Sequence, residues 1–380
     1  KRHEFIKKRM KAMAEAANSM EINRIEMNDT SIGVITSGIT YQYAKEALPN
    51  ASILKLGMIN PLPKQLIEFF AAKVDKLYVI EELEPVIEEQ IKSWGICAVG
   101  KEIFPAQGEL SANIIAEKIL GETPGVKSPQ SIPSRPPVMC PGCPHRGVFY
   151  VIKKLGLHAT GDIGCYTLGA LPPLQAIDTC VCMGASIGMA HGMEKARGRE
   201  FGRKLVAVIG YSTFIHSGIT GLIDVIYNQG NSTVVILDNS TTGMTGHQDH
   251  PGTGRTIKGK DVPPLDLVKL IEAIGVKHIS VVDPFDLGRT ESVLREEVTR
   301  DEPSVIIMQR PCALLDKSIE FPAKIDPDLC RKCNMCLRLG CPAIQKKDDV
   351  IGINQALCNG CGLCINVCRF NAIRRTGEEE

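Results

Sequence analysis

Aromatic residues and net charge are both scarce in this chain of 380 residues. Phe, Trp and Tyr together make up 5% of the sequence, and the single tryptophan is Trp94. The 44 basic side chains nearly balance the 43 acidic ones, which leaves a formal net charge of +1. A chain so close to neutral has no general attraction to nucleic acid or to an anionic membrane, and we expect neither as a partner.

Long hydrophobic runs are absent as well. No apolar run reaches the roughly 18 residues that a membrane-spanning helix needs, and no signal peptide is recognisable. Apolar residues still make up 44% of the chain, which is enough for sizeable cores, and a length of 380 residues is enough for two or three domains. The sequence therefore predicts a cytoplasmic protein. Because a helical pattern begins at once after Lys1, we also expect that an N-terminal portion precedes this segment.

Cysteine, in contrast, is abundant, and eight of the 15 residues form two matching groups near the end of the chain. The spacings are C-x2-C-x2-C-x4-C-P from Cys330 and C-x2-C-x2-C-x3-C from Cys358. Such triplets hold three corners of a [4Fe-4S] cluster, and in two-cluster ferredoxins the fourth cysteine of each run binds the other cluster. The predicted ligand sets are Cys330, Cys333, Cys336 and Cys368 for one cluster, and Cys358, Cys361, Cys364 and Cys341 for the other.

A pair of zinc sites is the alternative for these eight cysteines, since C-x2-C also suits zinc. Zinc sites, however, use two or four cysteines per knuckle, whereas these groups have three plus one. The spacing favours iron–sulfur clusters, which accept single electrons and persist in a reducing, oxygen-poor compartment.

Alternating strand and helix signals fill the first segment, residues 1–127. They predict a small parallel sheet with helices on both faces. Glu81, Glu82 and Glu84 follow the last strand, and we interpret them as solvated or helix-N-terminal acids rather than ligands. The predicted strands are Ser31–Ser37, Ala51–Gly57 and Lys76–Ile80, and the predicted helices lie near Tyr41–Ala47, Lys64–Ala72 and Val86–Ser93.

Two linkers separate the remaining segments. Four prolines in residues 128–139 exclude a helix or an inner strand, and Phe321–Asp328 forms the second linker. Between them, residues 137–318 form a second α/β segment with buried strands at Lys204–Ile209, Thr233–Leu237 and Ser304–Met308. The last segment, residues 319–380, is too small to be stable through its core alone, so we expect its clusters to hold it together.

Two strands of the second segment are followed by residues suited to a phosphate ligand. Glycine at Gly210 lets the backbone approach a ligand closely, and N–H groups at the following helix start favour phosphate. Asn239, after the next strand, can reach the same phosphate through a divalent cation.

This pattern resembles the thiamine-diphosphate signature, G-D-G followed downstream by asparagine. The resemblance implies that Asn239 and the carbonyl of Thr241 bind Mg²⁺, while Gly210, Ser212 and Gly243 contact the cofactor. Tyr211 replaces the aspartate of the signature, and a phenol is a poor magnesium ligand. Either a water molecule takes its place, or cofactor affinity is reduced, or the position is a variant.

Small residues also recur in the helical stretch Met183–Gly192. Their spacing of four suits close helix packing. In thiamine-dependent enzymes a similar segment opens under the thiazolium ring, which would place Gly184 and Ala185 at the cofactor. The two interpretations are compatible.

Four further cysteines stand in motifs outside the ferredoxin-like runs. They are Cys140, Cys143, Cys165 and Cys312. The set resembles 2-oxoacid:ferredoxin oxidoreductases, in which a CPGC, a GxGC and a late cysteine hold a cluster near the thiamine. A third cluster is thus implied, with buried structural thiols or a zinc site as the alternatives. Cys97, Cys180 and Cys182 are expected to be ordinary buried cysteines.

Taken together, the chain resembles the large subunits of indolepyruvate ferredoxin oxidoreductases over essentially its whole length. The motifs are CPGCPHRG, GDIGCYTLG, MGASIGMAHG, STFIHSGITGL, LDNSTTGMTGHQDHPG and the paired ferredoxin runs. The implied fold is α/β: a transketolase C-terminal-like domain, a thiamine-diphosphate-binding domain, and a small α+β two-[4Fe-4S] ferredoxin-like domain. CPGCPHR favours the arylpyruvate branch of the family.

The resemblance implies oxidative decarboxylation of indole-3-pyruvate with coenzyme A to the acyl-CoA and CO₂. Electrons would pass through the clusters to ferredoxin, and a smaller beta subunit would be the partner. His216 is the first candidate for proton transfer or substrate contact, ahead of His145 and His247. The alternatives are another 2-oxoacid, such as pyruvate or a branched-chain one, and an electron-transfer subunit without thiamine.

Overall fold

A computed structural model describes residues 1–122, 132, 135–316 and 321–377. The chain divides into two compact units, residues 1–133 and 134–380. Within the described ranges, no helix is both long and apolar enough to cross a membrane.

The first unit is a four-stranded sheet between two layers of helices. Its elements are α1 (Arg2–Ala17), β1 (Arg24–Glu26), β2 (Asp29–Ser37), α2 (Thr40–Ala47), β3 (Ala51–Leu56), α3 (Lys64–Ala71), β4 (Lys76–Ile80), α4 (Val86–Ser93) and α5 (Ala112–Leu120). The strand order is β1-β3-β2-β4, with β2, β3 and β4 parallel and β1 antiparallel to β3. The parallel sheet predicted from the sequence is confirmed, and β1 is an edge strand that the sequence did not reveal.

Side chains that point alternately to the two faces of this sheet form two separate hydrophobic cores. Val34 and Ile53 pack on one face, whereas their neighbours Ile35 and Leu54 pack on the other, as successive side chains of a strand must. Glu81 accepts hydrogen bonds from the N–H groups at the start of α4, which confirms its interpretation as a helix N-terminal acid.

The second unit contains a six-stranded parallel sheet and a smaller cysteine-rich part. The elements of the sheet part are α6 (His145–Leu155), β5 (His158–Gly161), β6 (Thr179–Cys180), α7 (Ala185–Arg197), α8 (Arg199–Gly202), β7 (Leu205–Gly210), α9 (Tyr211–Thr213), α10 (Ile219–Tyr227), β8 (Thr233–Asp238), α11 (Leu267–Ile274), β9 (His278–Val282), α12 (Leu287–Glu297) and β10 (Ser304–Gln309). The strand order is β6-β5-β7-β8-β10-β9. Every residue of β7 and β8 is buried, because separate cores cover both faces of the sheet.

The cysteine-rich part is built from two small antiparallel strand pairs and one short helix. Its elements are β11 (Ala323–Ile325), β12 (Ile344–Lys347), β13 (Val350–Ile353), α13 (Leu363–Val367) and β14 (Ile373–Arg375). Strand β11 pairs with β14, so the prediction of a linker over Phe321–Asp328 was wrong at Ala323–Ile325. A three-residue strand that pairs with the far end of the segment leaves no periodic signal in the sequence.

Three other sequence predictions concern the proline-rich linker, the single cysteines and the helix after Met183. In the proline-rich linker, half of which lies outside the described residues, positions 132 and 135–139 are neither helix nor strand. Cys97, Cys180 and Cys182 are exposed rather than buried. The helix predicted at Met183–Gly192 begins at Ala185. The expectation of close packing was wrong at Gly188 and Gly192, where a Cβ would meet no atom within 4 Å.

Candidate functional site

The carboxyl ends of β7 and β8 open into a cavity. Parallel strands end at the same edge of a sheet, so the loops after them meet there. The predicted cofactor residues Gly210, Ser212, Asn239, Thr241 and Gly243 all line this cavity. Thr242 Oγ1 donates a hydrogen bond of 3.0 Å to Ser212 Oγ, which joins the two loops.

Two buried rings form one wall of this strand-end cavity. Tyr166 lies so close to Gly210 that a Cβ at that position would come within 2.6 Å of the ring. His145 meets Tyr166 edge to face, with ring centroids 6.2 Å apart. Burial raises the pKa of Tyr166 to about 12 and lowers the pKa of His145 to about 4. Both side chains are therefore neutral near pH 7.

Tyr211 occupies the position where the resemblance places a magnesium-binding aspartate. Its side chain is buried, and its ring packs edge-on against His250 with centroids 5.0 Å apart. Its hydroxyl donates a hydrogen bond of 3.2 Å to the carbonyl of Leu265, and burial raises its pKa to about 12. The residue is thus a neutral phenol with its proton engaged, which is a weak ligand for Mg²⁺.

The remaining donors still suit thiamine diphosphate. Close approach at Gly210, the hydroxyl of Ser212 and the helix start after β7 provide contacts for a diphosphate. Asn239 and Thr241, the predicted oxygen ligands for a cation, line the same cavity. Mg²⁺ commonly keeps several water ligands, so two protein oxygens together with phosphate oxygens are compatible with its binding.

A second cavity, of about 270 Å³, adjoins the first and brings together the four cysteines outside the ferredoxin-like runs. The cysteines are Cys140, Cys143, Cys165 and Cys312. Cys165, Asn239 and Gly243 line both cavities. Cys312 is fixed beside them because its N–H donates to the Asn239 carbonyl at 2.9 Å. Their role as cluster ligands stays a prediction, but a metal centre here would border directly on the strand-end cavity.

The cysteine-rich part contains two more cavities, and each is lined by one predicted ligand set. One cavity contains Cys341, Cys358, Cys361 and Cys364, and the other contains Cys330, Cys333, Cys336 and Cys368. The fourth cysteine of each run thus lies with the triplet of the other run. Burial raises the pKa of the Cys364 thiol to about 12, so that thiol must lose its proton when a metal binds.

In the described parts of the chain, no three His, Cys, Asp or Glu side chains are arranged so as to hold a single metal ion.

The turn between Cys140 and Cys143 packs on the turn between Cys358 and Cys361. Gly142 has a φ of +70°, and a Cβ there would come within 2.1 Å of the Asn359 amide nitrogen. Pro141 and Gly142 also line the cavity of the Cys358 group. The CPGC turn therefore lies between two of the cysteine-lined cavities.

Arg146 is a buried residue that links the CPGC turn to the ferredoxin-like part. Its guanidinium is buried and donates to the carbonyls of Met139, Cys140 and Leu339. Burial lowers its pKa, and the thiols at Cys341 and Cys143 oppose that shift. The sequence reasoning overlooked this arginine, although it belongs to the CPGCPHRG motif, because nothing local shows that it spans to Leu339.

Several predicted residues do not line the strand-end cavity. His216 is exposed, and its Nδ1 lies 2.5 Å from Ser217 Oγ. Gly184 directly precedes α7 and lies against Ser217, and neither it nor Ala185 is among the residues of the cavity wall. His145 does line this cavity, and His247 lines the adjoining one. The roles assigned to these residues stay predictions.

Two protein families match parts of this chain. The family of thiamine pyrophosphate enzymes, C-terminal TPP-binding domain, matches residues 162–308. The 4Fe-4S binding domain matches residues 351–374. The first match contains both loops of the strand-end cavity, and the second contains the Cys358 triplet.

Curated relatives extend the similarity to nearly the whole chain. "Indolepyruvate oxidoreductase subunit IorA" of Archaeoglobus fulgidus is 37% identical over 390 aligned residues, covering 94% of this chain and 62% of the relative. The protein of the same name from Pyrococcus abyssi is 36% identical, covering 100% of this chain and 66% of the relative. This chain therefore spans slightly less than two thirds of the length of these relatives.

Among solved structures, a 2-oxoglutarate:ferredoxin oxidoreductase from Magnetococcus marinus overlaps with a TM-score of 0.41 at 17% identity, covering 49% of this chain and 68% of that chain.

Proposed function

Since the chain belongs to the family of the indolepyruvate oxidoreductase IorA subunits, we propose that it forms the cofactor-binding and electron-transfer part of a 2-oxoacid:ferredoxin oxidoreductase. The observation that carries this proposal is the adjacency of the cavities. The strand-end cavity shares Cys165, Asn239 and Gly243 with the four-cysteine cavity. The CPGC turn lies between the four-cysteine cavity and the Cys358 cavity of the ferredoxin-like part. Two-electron oxidation of a carbon substrate and one-electron transfer need such neighbouring sites.

The strand-end cavity would hold thiamine diphosphate. Gly210 and Ser212 would contact the diphosphate, and Asn239 with the Thr241 carbonyl would hold Mg²⁺. When bound, the cofactor supplies the electron sink that lets a 2-oxoacid lose CO₂. The buried rings of Tyr166 and His145 would exclude water from this wall and keep it uncharged.

The cysteine-lined cavities would hold three [4Fe-4S] clusters, each of which accepts one electron at a time. The CPGC turn lies between the Cys165 cavity and the Cys358 cavity, which places these two sites next to each other in the order. The Cys330 cavity would be the last site. Its Cys333 is exposed, which suits delivery of electrons to an external carrier.

The names of the relatives favour indole-3-pyruvate as the substrate. In that reaction the bond between the keto carbon and the carboxylate breaks, and CO₂ leaves. The thiol of coenzyme A releases its proton and forms a thioester with the acyl group, and two ferredoxin molecules each accept one electron. We also propose a smaller partner subunit, because the relatives are named as subunits.

A second candidate function is a thiamine-free electron-transfer subunit. Tyr211 favours this candidate, because a phenol is a weak ligand for Mg²⁺.

Anaerobic quantification of iron, sulfide and thiamine diphosphate tests the proposal. The chain should be produced together with the smaller subunit and with the additional length that the relatives have. With about four irons per cluster, about twelve per chain would support three clusters and about eight would support two. The Cys312→Ala variant should lose about four irons and leave the ferredoxin-like clusters intact.

A panel of 2-oxoacids then identifies the substrate. Indole-3-pyruvate should give a higher kcat/KM than pyruvate or a branched-chain 2-oxoacid, with coenzyme A and ferredoxin required. Full iron content without bound thiamine diphosphate, even in excess Mg²⁺, would overturn the enzyme proposal in favour of the electron-transfer subunit.

A further inference from the structure

A groove of about 530 Å³ lies beside the last cluster site, and cations line it. Its four basic side chains are Lys153 and Lys154 from α6, and Arg338 and Arg369 from the ferredoxin-like part. We call it the basic groove. Neither the iron–sulfur chemistry nor the thiamine site needs these four charges.

Most of this charge is uncompensated. Lys154 pairs with Glu291, and Lys153 donates to the neutral oxygens of Pro173 and Gln175. In the part of the chain that the structure describes, Arg338 and Arg369 have no carboxylate within ion-pair distance, and both are exposed. Neighbouring like charges repel one another, so such a group is a cost to the free chain unless an anionic partner uses it.

The groove borders one cluster site and not the other. Arg338 follows Cys336 by two residues, and Arg369 follows Cys368 directly. Both cysteines line the cavity of the Cys330 group. By contrast, residues 355–368, which supply three cysteines of the other site, contain no Lys, Arg, Asp or Glu. The basic groove therefore lies at the cluster site that has an exposed cysteine, whereas the arginines at the other site, Arg146 and Arg375, donate to backbone carbonyls.

Two apolar side chains are exposed near the Cys330 site: Phe370 lines its cavity and follows Arg369, and Leu329 directly precedes Cys330 in the chain. Leu329 is 41% exposed and Phe370 is 44% exposed. Exposed apolar residues next to uncompensated arginines are typical of a protein–protein contact. A small phosphate ligand would need the cations but not the apolar surface.

We propose that the basic groove, with Leu329 and Phe370, is the docking surface for a small electron-carrier protein with an acidic surface. This inference rests on the proposed electron-transfer function and names the surface at which electrons leave the chain. Complementary charge would steer the carrier to the cluster site by long-range attraction, so its association should be fast and sensitive to ionic strength.

The test measures the binding of an acidic two-[4Fe-4S] ferredoxin to the oxidised, cluster-loaded complex. The same ferredoxin is then mixed in a stopped-flow instrument with complex that dithionite has reduced, and no 2-oxoacid is present. This design separates the inference from the proposed enzymatic reaction, because a failure of thiamine chemistry leaves both measurements unaffected.

The variants are Arg338→Glu and Arg369→Glu, with Lys269→Glu as the matched control on α11. Lys269 is 81% exposed, and its reversal changes the net charge by the same amount. At low salt each arginine reversal should raise the Kd for ferredoxin about tenfold, lower the association rate and flatten its dependence on ionic strength. The control should match the unmodified complex. Iron content and the EPR spectrum of the reduced clusters verify that every variant is intact.

Ferredoxin whose surface carboxylates have been converted to amides completes the test. It should bind the unmodified complex as weakly as acidic ferredoxin binds the arginine variants. Unchanged Kd values in both arginine variants would overturn the proposal. If, in addition, the arginine variants lost binding of pyrophosphate or coenzyme A, the groove would be a site for small anions rather than for ferredoxin.

Discussion

At the scale of single residues, Tyr211 carries the most chemical information. A carboxylate at this position would complete a cation site with the Asn239 and Thr241 oxygens. The chain instead places a phenol there, whose hydroxyl donates to Leu265 and whose ring contacts His250. The side chain thus contributes to the core at a position where the resemblance expects a ligand.

The Tyr211→Asp variant should bind thiamine diphosphate with Mg²⁺ at least tenfold more tightly, because a carboxylate is a better magnesium ligand. Without the cofactor, the free energy of unfolding of this variant should be about 3–5 kcal/mol lower than that of the unmodified chain, since a buried ring is lost. Thermal shift with and without the cofactor measures both effects, because a ligand that binds only the native state stabilises it. Tyr211→Phe is the control, and equal cofactor-induced shifts in the two variants would argue against a cation site here.

His250 makes the stability of this region dependent on pH. Burial lowers the pKa of its imidazole below the ordinary value, and Nδ1 accepts a hydrogen bond from the Gly252 N–H at 3.1 Å. The unfolded chain therefore takes up a proton at a higher pH than the folded chain. Stability from the neutral ring is present above the unfolded pKa of about 6.5 and is lost as the pH falls below it.

Replacing His250 by asparagine tests this pH dependence. His250→Asn keeps an acceptor near the Gly252 N–H and cannot be protonated. We expect its urea midpoint to depend less on pH than that of the unmodified chain between about pH 7 and pH 5. Parallel curves for the two proteins over this interval would mean that another group is responsible.

At the scale of secondary-structure elements, two glycine-containing turns place the four-cysteine cavity beside the Cys358 cavity. They are the turns between Cys140 and Cys143 and between Cys358 and Cys361. The CPGC turn needs Gly142 for its positive φ and for its contact with Asn359. Because Asn359 lies between two predicted cluster ligands, this contact joins the sheet part of the second unit to the ferredoxin-like part. The turns place two sites side by side although their residues are far apart in sequence.

Gly142→Ala should destabilise the second unit by about 1–3 kcal/mol more than Gly156→Ala does. Both glycines have positive φ, at +70° and +64°, so both alanines are strained in the left-handed region. A Cβ at Gly156 meets no atom within 4 Å, whereas one at Gly142 meets Asn359. Anaerobic urea unfolding gives the difference, and equal costs would show that the Asn359 amide moves away freely.

At the scale of the whole molecule, the parts of the chain differ in what stabilises them. The two large sheets have extensive apolar cores on both faces. The ferredoxin-like part has one small core, in which Cys336 and Cys364 are themselves buried members. Metal binding should therefore stabilise only this last part to a large extent.

Removal of the clusters by oxidation and chelation should release amide protection in β11–β14 and leave β7 and β8 protected. We expect hydrogen exchange in β12 and β13 to accelerate about a hundredfold, which corresponds to a loss of about 3 kcal/mol. Strands β2–β4 of the first unit are the internal control. Retained protection in β12 and β13 would show that the small apolar core suffices without metal.

Much of the fold and the grouping of the candidate site residues followed from the sequence, because both depend on short-range pattern. Buried apolar runs specified the strands β2, β4, β7, β8 and β10 to within about two residues. The cysteine spacing specified two ligand sets with exchanged fourth members, and the structure gathers each set at its own cavity. Glycine and asparagine after successive parallel strands predicted that Gly210 and Asn239 would meet.

Only the tertiary structure decided the features that depend on contacts between distant residues. It directed the Tyr211 hydroxyl to Leu265, paired β11 with β14, and extended Arg146 to the Leu339 carbonyl, 193 residues away. It also assembled the basic groove from α6 and two cysteine loops. Such contacts leave no periodic or spacing signal, because each partner is locally an ordinary residue and becomes informative only where the folded chain brings it beside the other.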